Sequence, residues 1–105
     1  MKMNISQSDV KHADLHDAQA AAQQFPEVSA PSWAALGALA EGDCVKVGVG
    51  EHGNGSEAFW VELVAVGQLH MFGVIVNQLR FTAFHNLAAG NVIMIQRESV
   101  FAITQ

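Results

Sequence analysis

The sequence predicts a mainly β protein with an N-terminal helix (an α+β fold), whose C-terminal two-thirds forms a five-stranded antiparallel barrel. Apolar residues recur at helical spacings before residue 26 and alternate with polar or small residues after residue 43. Glycine and asparagine turns separate the alternating runs. A chain of 105 residues holds one core, so we expect a helical arm over residues 1–29 and a small β-barrel domain over residues 30–105.

The N-terminal arm has the pattern of an amphipathic helix. Apolar residues from Leu15 to Phe25 follow one another at spacings of three and four, and several aspartates precede or accompany them. We therefore expect a helix over residues 9–24, ended by Pro26. Its apolar face consists largely of alanine, so this helix would pack lightly on the barrel or on a partner.

A second, shorter helix is expected after Pro31. Trp33, Leu36 and Leu39 follow this proline at spacings of three, which would place the three side chains on one helix face. Residues 32–39 are therefore predicted as a short helix or a single turn.

Alternation of apolar and polar residues predicts the strands. Val45, Val47 and Val49 alternate with other residues in the manner of a half-buried strand, and Asn54-Gly55 marks a hairpin turn. The five predicted strands cover residues 44–49, 58–66, 69–76, 79–84 and 91–96, with a further edge segment at residues 99–103.

One short sequence pattern occurs twice. Residues 39–47 and residues 87–95 both contain a leucine, then Gly-Asp or Gly-Asn, then a strand. Glycine adopts a positive φ at little cost, and Asp or Asn accepts hydrogen bonds from the turning backbone. The two copies are therefore predicted to form two corners of one barrel.

Several short motifs lie at the boundaries of the predicted elements. They are Gly42-Asp43-Cys44-Val45-Lys46-Val47-Gly48, Phe59-Trp60-Val61, Gly73-Val74, Val76-Asn77-Gln78-Leu79 and Gly90-Asn91-Val92. In this order the region from residue 32 to residue 103 resembles a family of small bacterial domains of unknown function. The resemblance implies a compact, SH3-like barrel and no particular chemistry. Ala58 and Asn91 stand where that family usually has an arginine and an aspartate.

Charge and cysteine content limit the classes of function. Ten acidic residues against five basic ones give a net charge of −5, which disfavours binding to nucleic acid. The apolar runs are too short to span a membrane. A single cysteine, Cys44, excludes an internal disulfide and favours a reducing, cytoplasmic location.

Three patterns could indicate chemistry, but the sequence around each of them argues against it. Residues 48–53 match G-x-G-x-x-G, but a strand rather than a helix is expected to follow. His12 and His16 share a helical spacing suited to a metal, and Asp9 would lie on roughly the same side, yet no paired His or Cys lies nearby in the sequence. Cys44 follows the acidic Asp43, which disfavours a thiolate. The prediction is that the protein has no cofactor, no metal site and no catalytic residue.

The function predicted is that of a non-catalytic protein-interaction or accessory module with another protein as partner. Trp60, Trp33 and Phe84 are the candidate partner-binding residues, and Trp60 is also expected to contribute more to folding than any other aromatic residue. One alternative is a small enzyme or ligand-binding barrel with a pocket near His70 and His85. A weaker alternative is a nucleic-acid-binding barrel.

Overall fold

The computed structural model describes residues 9–51 and 54–104. Its helices are α1 (Ala18–Gln24), α2 (Trp33–Gly37) and α3 (Thr82–His85), with a 3-10 helix at Arg97–Ser99. Its strands are β1 (Val10–Lys11), β2 (Cys44–Glu51), β3 (Asn54–Val66), β4 (Met71–Ile75), β5 (Val92–Ile95) and β6 (Ala102–Thr104). The protein is mainly β with a few short helices, as predicted.

The described strands form one open, mixed sheet in the order β1-β5-β4-β3-β2-β6. β1 pairs with β5 in parallel, and the other neighbours are antiparallel. The predicted five-stranded antiparallel SH3-like barrel is not confirmed. Two short strands, β1 and β6, occupy the edges of the sheet. β6 overlaps the edge segment predicted at residues 99–103, whereas β1 was not predicted and comes from a segment expected to be helical.

The predicted start of the N-terminal helix is wrong. The Asp17 side chain accepts a hydrogen bond from the Ala20 N–H at 3.0 Å, so α1 begins only at Ala18. The preceding residues are extended because they pair with the sheet. The His16 N–H, for example, donates to the Gly48 carbonyl at 2.8 Å. The helix ends before Pro26, as expected.

The predicted strand at residues 79–84 is also wrong. The Glu57 carboxylate accepts hydrogen bonds from the N–H groups of Arg80 and Phe81, which a strand would have used for its ladder. The chain then forms the single turn of α3. The remaining predicted strands exist, with ends that differ by a few residues.

The core lies against one face of the sheet. Alternate residues of the four central strands are buried there, at most 2% exposed. These residues are Val45, Val47, Val49, Phe59, Val61, Leu63, Met71, Ile75, Ile93 and Ile95. Leu36 and Leu39 cover them from the α2 segment, whereas Trp33 of the same segment is 59% exposed.

The two copies of the repeated pattern form matching turns. Gly42 and Gly90 have φ angles of +94° and +91°. The Gly42 N–H donates to the Leu63 carbonyl of β3, and the Gly90 N–H donates to the Ile75 carbonyl of β4, both at 2.8 Å. Each turn thus ties the start of one strand to a buried residue of its neighbour, β2 to β3 and β5 to β4.

Asp43 and Asn91 have the same role in these turns. An Asp43 carboxylate oxygen accepts from the Ala40 N–H at 2.9 Å, and the Asn91 amide oxygen accepts from the Ala88 N–H at 2.8 Å. Since an amide oxygen and a carboxylate oxygen accept equally well here, the asparagine preserves the turn.

Other motif residues also support the backbone. The Asn77 side-chain oxygen accepts from the Trp60 N–H at 2.5 Å and so extends the pairing of β3 beyond the end of β4. A β-carbon on Gly73 would overlap the Val61 side chain and the Glu62 carbonyl, so glycine is required there. The residues that carry the family resemblance therefore shape turns and strand ends.

The N-terminal arm contacts the sheet at two places. Val10 and Lys11 pair with β5, and Leu15 forms an isolated antiparallel bridge with Val49 of β2. Ala18 is fully buried. The predicted boundary after residue 29 stays a prediction, although every fully buried member of the core cluster comes after it.

Candidate binding surfaces

Glu57 and His85 form a nearly buried pair at the end of the sheet where β3 begins. The His85 Nε2 lies 2.8 Å from Oε2 of Glu57, and their side chains are 8% and 12% exposed. Oε1 accepts from the Arg80 N–H at 3.0 Å, and Oε2 also accepts from the Phe81 N–H at 2.7 Å. The Leu87 N–H donates to Nδ1 of His85 at 3.1 Å.

These bonds define the protonation of the pair. Because Nδ1 of His85 accepts a backbone hydrogen bond, Nε2 is the ring nitrogen that donates to Glu57. Burial raises the pKa of Glu57, but hydrogen bonds from His85 and from two backbone N–H groups outweigh burial and hold this pKa below its usual 4.5. Both ring nitrogens and both carboxylate oxygens are already engaged. The pair therefore fastens the α3 segment to β3.

A groove lies on the face of the sheet opposite the core, across β6, β2 and β3. We call it the outer groove. Its floor consists of Gly48, Ala58 and Ala102, and its volume is about 420 Å³. Gly48 is directly opposite Ala58 in the β2–β3 pairing, and Lys46 is opposite Ala102 in the β2–β6 pairing. The His16 and Phe101 rings lie over Gly48, so the open part of the groove lies beside Ala58 and Ala102.

A second concave surface lies at the opposite end of the sheet, between α2 and the turn that joins β3 to β4. We call it the Trp33–Leu69 surface. Trp33 is 59% exposed and Leu69 is 79% exposed, and both line a pocket of about 370 Å³. The pocket is completed by Arg97 and by a polar rim of Gln68, His70, Gln96 and Glu98.

Arg97 connects the two halves of this surface. Its Nε–H donates to the Leu36 carbonyl of α2 at 3.2 Å, and one terminal N–H donates to the Gln68 carbonyl at 2.8 Å. Trp33 belongs to the same helix as Leu36, and Leu69 follows Gln68 directly. The guanidinium therefore connects the two backbone segments that carry the exposed apolar side chains.

The three predicted partner-binding residues lie on three different elements. Trp33 belongs to the surface just described. Phe84 is 69% exposed on α3, where it makes an edge-to-face contact with Phe81 at 6.2 Å. Trp60 is partly buried on the outer face of β3, directly opposite Lys46. Its neighbour Phe59 is 1% exposed and lies in the core, so burial favours Phe59 over Trp60 as the aromatic residue that contributes most to folding.

His70 and His85 do not share a pocket. His85 binds Glu57 near the start of β3, whereas His70 follows the end of that strand, where its carbonyl accepts from the Gly67 N–H. Nine residue steps of β3 separate Glu57 from Val66, so at about 3.3 Å per residue the two histidines are roughly 30 Å apart.

The described residues of the other sequence patterns lie in β2 or in the segment before α1. His12 and His16 precede α1, so they do not share a helix face. Gly48 and Gly50 of the G-x-G-x-x-G pattern lie inside β2, and the last two residues of that pattern fall outside the described residues. Cys44 is a free, partly buried thiol in β2. Within residues 9–51 and 54–104, no three His, Cys, Asp or Glu side chains gather as a metal site would require.

Sequence reasoning identified Trp33 but missed Leu69 and Arg97, which complete the Trp33–Leu69 surface. Leu69 lies in a turn, where an apolar side chain has no core to enter, and this was the one available signal. The contacts of Arg97 lie 61 and 29 residues away along the chain, and no local pattern indicates them.

Comparison with family models, with curated proteins and with solved structures finds no match to this chain. No helix in the described part of the chain has the length and apolar character needed to cross a bilayer.

Proposed function

We propose that the protein is a non-catalytic protein-interaction module and that the Trp33–Leu69 surface binds its partner. The observation that carries this proposal is the exposure of two large apolar side chains on separate elements that one arginine holds together. Exposed apolar side chains grouped around a concavity are typical of interaction sites.

The composition of the surface fits a protein partner. Trp and Arg are the residues most enriched where binding energy concentrates, and polar side chains usually surround them. Here Trp33 and Arg97 lie within a rim of glutamines, His70 and Glu98. Because Arg97 already fixes α2 against the β3–β4 turn, little conformational entropy remains to be lost on binding.

The remaining donors of Arg97 indicate what the partner presents. A guanidinium has five N–H donors, and two of them bind the Leu36 and Gln68 carbonyls. The partner therefore inserts an apolar side chain between Trp33 and Leu69 and offers a carbonyl or carboxylate oxygen to Arg97. The net charge of −5 favours a partner that is basic overall.

Two further observations support a binding role in the cytoplasm. The Glu57–His85 pair is the closest approach to an acid–base dyad among the described residues, and its hydrogen-bonding groups are occupied by the backbone. The sequence has a single cysteine, Cys44, which favours a reducing compartment.

The test compares capture of proteins from the native host by tagged wild-type chain and by two variants, Trp33→Ala and Leu69→Asp. The captured partner is then purified, and its affinity is measured directly. Both variants should keep the wild-type melting temperature, because the side chains they alter are exposed. Each should bind the partner about 30-fold more weakly, as is usual when a central contact is truncated.

Phe84→Ala is the matched control, since Phe84 is a comparably exposed aromatic residue on a different element. It should bind like wild type. Loss of binding with Phe84→Ala and not with Trp33→Ala would place the interface at α3 and overturn the assignment of the Trp33–Leu69 surface.

A further inference from the structure

We infer that the face of β4 and β5 opposite the core is the contact surface of a symmetric homodimer, in which a second copy of this chain covers it. We call this surface the β4–β5 face. Its members are the outward apolar residues of these strands and their immediate neighbours, namely Trp60, Phe72, Val74, Val76, Val92 and Met94. The inference does not depend on the proposed protein partner or on the Trp33–Leu69 surface.

β4 and β5 have apolar side chains on both faces of the sheet. Burial alternates along β4, so Phe72 and Val74 lie partly exposed on the face opposite the core. The same alternation in β5 leaves Val92 partly exposed and Met94 41% exposed. An antiparallel strand with one face in water normally has polar side chains on that face, whereas apolar residues on both faces are typical of strands covered on both. These strands therefore fit a sheet whose second face is also covered.

The strand register places these side chains in one continuous patch. Phe72 is directly opposite Met94, and Val74 is directly opposite Val92. Val76 follows β4 and is 50% exposed. Side chains that are opposite each other on neighbouring strands are close enough to touch. Grouped apolar side chains of this kind mark a contact surface, whereas single exposed ones do not.

The charges around the patch favour a second copy over an oppositely charged partner. Glu62 is opposite Val74, and Lys46 is opposite Trp60, so the charges at this border have opposite signs. The whole chain, in contrast, has a net charge of −5, and a basic partner would be attracted to the acidic remainder of the surface. A second copy presents the same apolar patch, and identical patches meet about a two-fold axis.

The outer side of the sheet is large enough for a dimer. Six strands about 4.8 Å apart span roughly 24 Å, and three rows of outward residues about 7 Å apart occupy roughly 20 Å with their side chains. The footprint is therefore roughly 500 Å² on each copy, or roughly 1,000 Å² in total, which is about the area at which specific interfaces begin. This area fits a dimer with a dissociation constant in the micromolar range.

The first experiment measures sedimentation equilibrium of the full-length protein from micromolar to millimolar concentration. We expect a monomer–dimer equilibrium, and the amide NMR signals that shift most with concentration should be those of Phe72, Val74 and Met94. Raising sodium chloride from about 0.1 M to about 1 M should tighten the dimer, because the Debye length shortens from roughly 10 Å to roughly 3 Å and two acidic copies repel less.

The second experiment introduces a charge into the face. Met94→Lys and Val76→Lys should each weaken dimerisation at least about tenfold, because the interface would bury an ammonium without a partner. Both side chains are exposed, so each variant should melt like wild type at concentrations where wild type is monomeric. Phe84→Lys is the matched control, since Phe84 is an exposed apolar residue on α3, and it should dimerise like wild type.

Trp33→Ala should also dimerise like wild type, which separates this face from the proposed partner interface. A wild-type chain that stays monomeric at millimolar concentration would overturn the inference and leave the face to a partner other than a second copy. A dimer that both lysine variants leave intact, or that Phe84→Lys or Trp33→Ala dissociates, would place the contact elsewhere and overturn it as well. The NMR shifts of wild type test the same point without any substitution.

Discussion

At the scale of single residues, Phe59 and Trp60 differ clearly in burial, and we therefore expect them to contribute differently to stability. They are sequence neighbours on β3, so their side chains point to opposite faces of the sheet. Phe59 is 1% exposed among the core residues, whereas Trp60 is partly exposed on the outer face.

Truncation of each aromatic should therefore have unequal effects. Phe59→Ala should lower the free energy of unfolding by about 3–5 kcal/mol, because it leaves a cavity in the core. Trp60→Ala should cost clearly less, since part of its surface is exposed to solvent and its N–H bond to Asn77 is made by the backbone. Thermal melts of both variants measure the difference. A larger loss of stability for Trp60→Ala would show that the Trp60 side chain packs more tightly on the outer face than its exposed fraction indicates.

Glu57 makes stability depend on pH. Its pKa is held below 4.5 in the folded protein by hydrogen bonds to the ionised form, so ionised Glu57 stabilises the fold above that pH. This contribution is lost as the pH falls through the lowered pKa and the carboxylate is protonated.

Replacement of Glu57 by glutamine should show the same dependence. Glu57→Gln should melt below wild type at pH 7, and the gap should close as the pH falls below 4.5. Glu62→Gln is a suitable control, because Glu62 is exposed and forms no hydrogen bond through its side chain within the described residues. A gap that stays constant down to pH 2 would contradict the role assigned to ionised Glu57.

At the scale of elements, the two matching turns depend on glycine for one reason. Gly42, Gly90 and Gly37 all have open space where a β-carbon would be, but only Gly42 and Gly90 have a positive φ. A steric clash is therefore absent at all three positions, and backbone conformation alone distinguishes them.

Alanine substitutions at these glycines should separate into two classes. Gly42→Ala and Gly90→Ala should each cost about 1–2 kcal/mol, because alanine disfavours the left-handed region. Gly37→Ala should be neutral or slightly stabilising, since Gly37 belongs to a helix. Urea denaturation measures all three. Similar costs at Gly37 and Gly42 would show that something other than φ limits these positions.

The elements that could be predicted from the sequence are those specified by residues close together along the chain. β2, β3 and β4 follow from alternation of apolar residues, and α2 from Ser32, whose hydroxyl accepts from the Ala35 N–H. β1 could not be predicted, because its partner is β5, far along the chain. The loop at Arg80 and Phe81 could not be predicted either. Its N–H groups donate to Glu57, which lies 23 residues away from Arg80 in the sequence.

The candidate surfaces were predictable to a smaller degree. Trp33 was a candidate from its type alone, whereas Leu69 and Arg97 join it only through the folded chain. The outer groove depends on Gly48 facing Ala58 across two strands, a match that requires the register of β2 and β3.

The N-terminal arm is the element whose removal tests the proposed domain boundary. All fully buried residues of the core cluster follow residue 30, so a shortened chain that starts at Ala30 should keep its β structure. It should melt at a lower temperature, since it loses β1, the Leu15 bridge and the bonds of His16. Circular dichroism measures both properties. An unfolded chain would show that the arm belongs to the domain.

At the scale of the whole molecule, the excess of acidic residues determines which partners can approach. Binding to DNA or RNA releases counterions in proportion to the phosphates that cations contact, and this chain has five Lys and Arg residues against ten Asp and Glu. Any association with nucleic acid should therefore be weak at low salt and absent at physiological salt. Fluorescence anisotropy with labelled oligonucleotides tests this, and micromolar binding at physiological salt would require a local basic surface.

The parallel pairing of β1 with β5 has a consequence for synthesis on the ribosome. Val10 precedes its partner Val92 by 82 residues, so β1 is synthesised well before β5. The β1 segment must therefore stay unpaired until β5 has emerged, and the sheet cannot reach its final order before then. A nascent chain stalled before Val92 emerges would have β2, β3 and β4 in place and its first strand still accessible to chaperones or proteases.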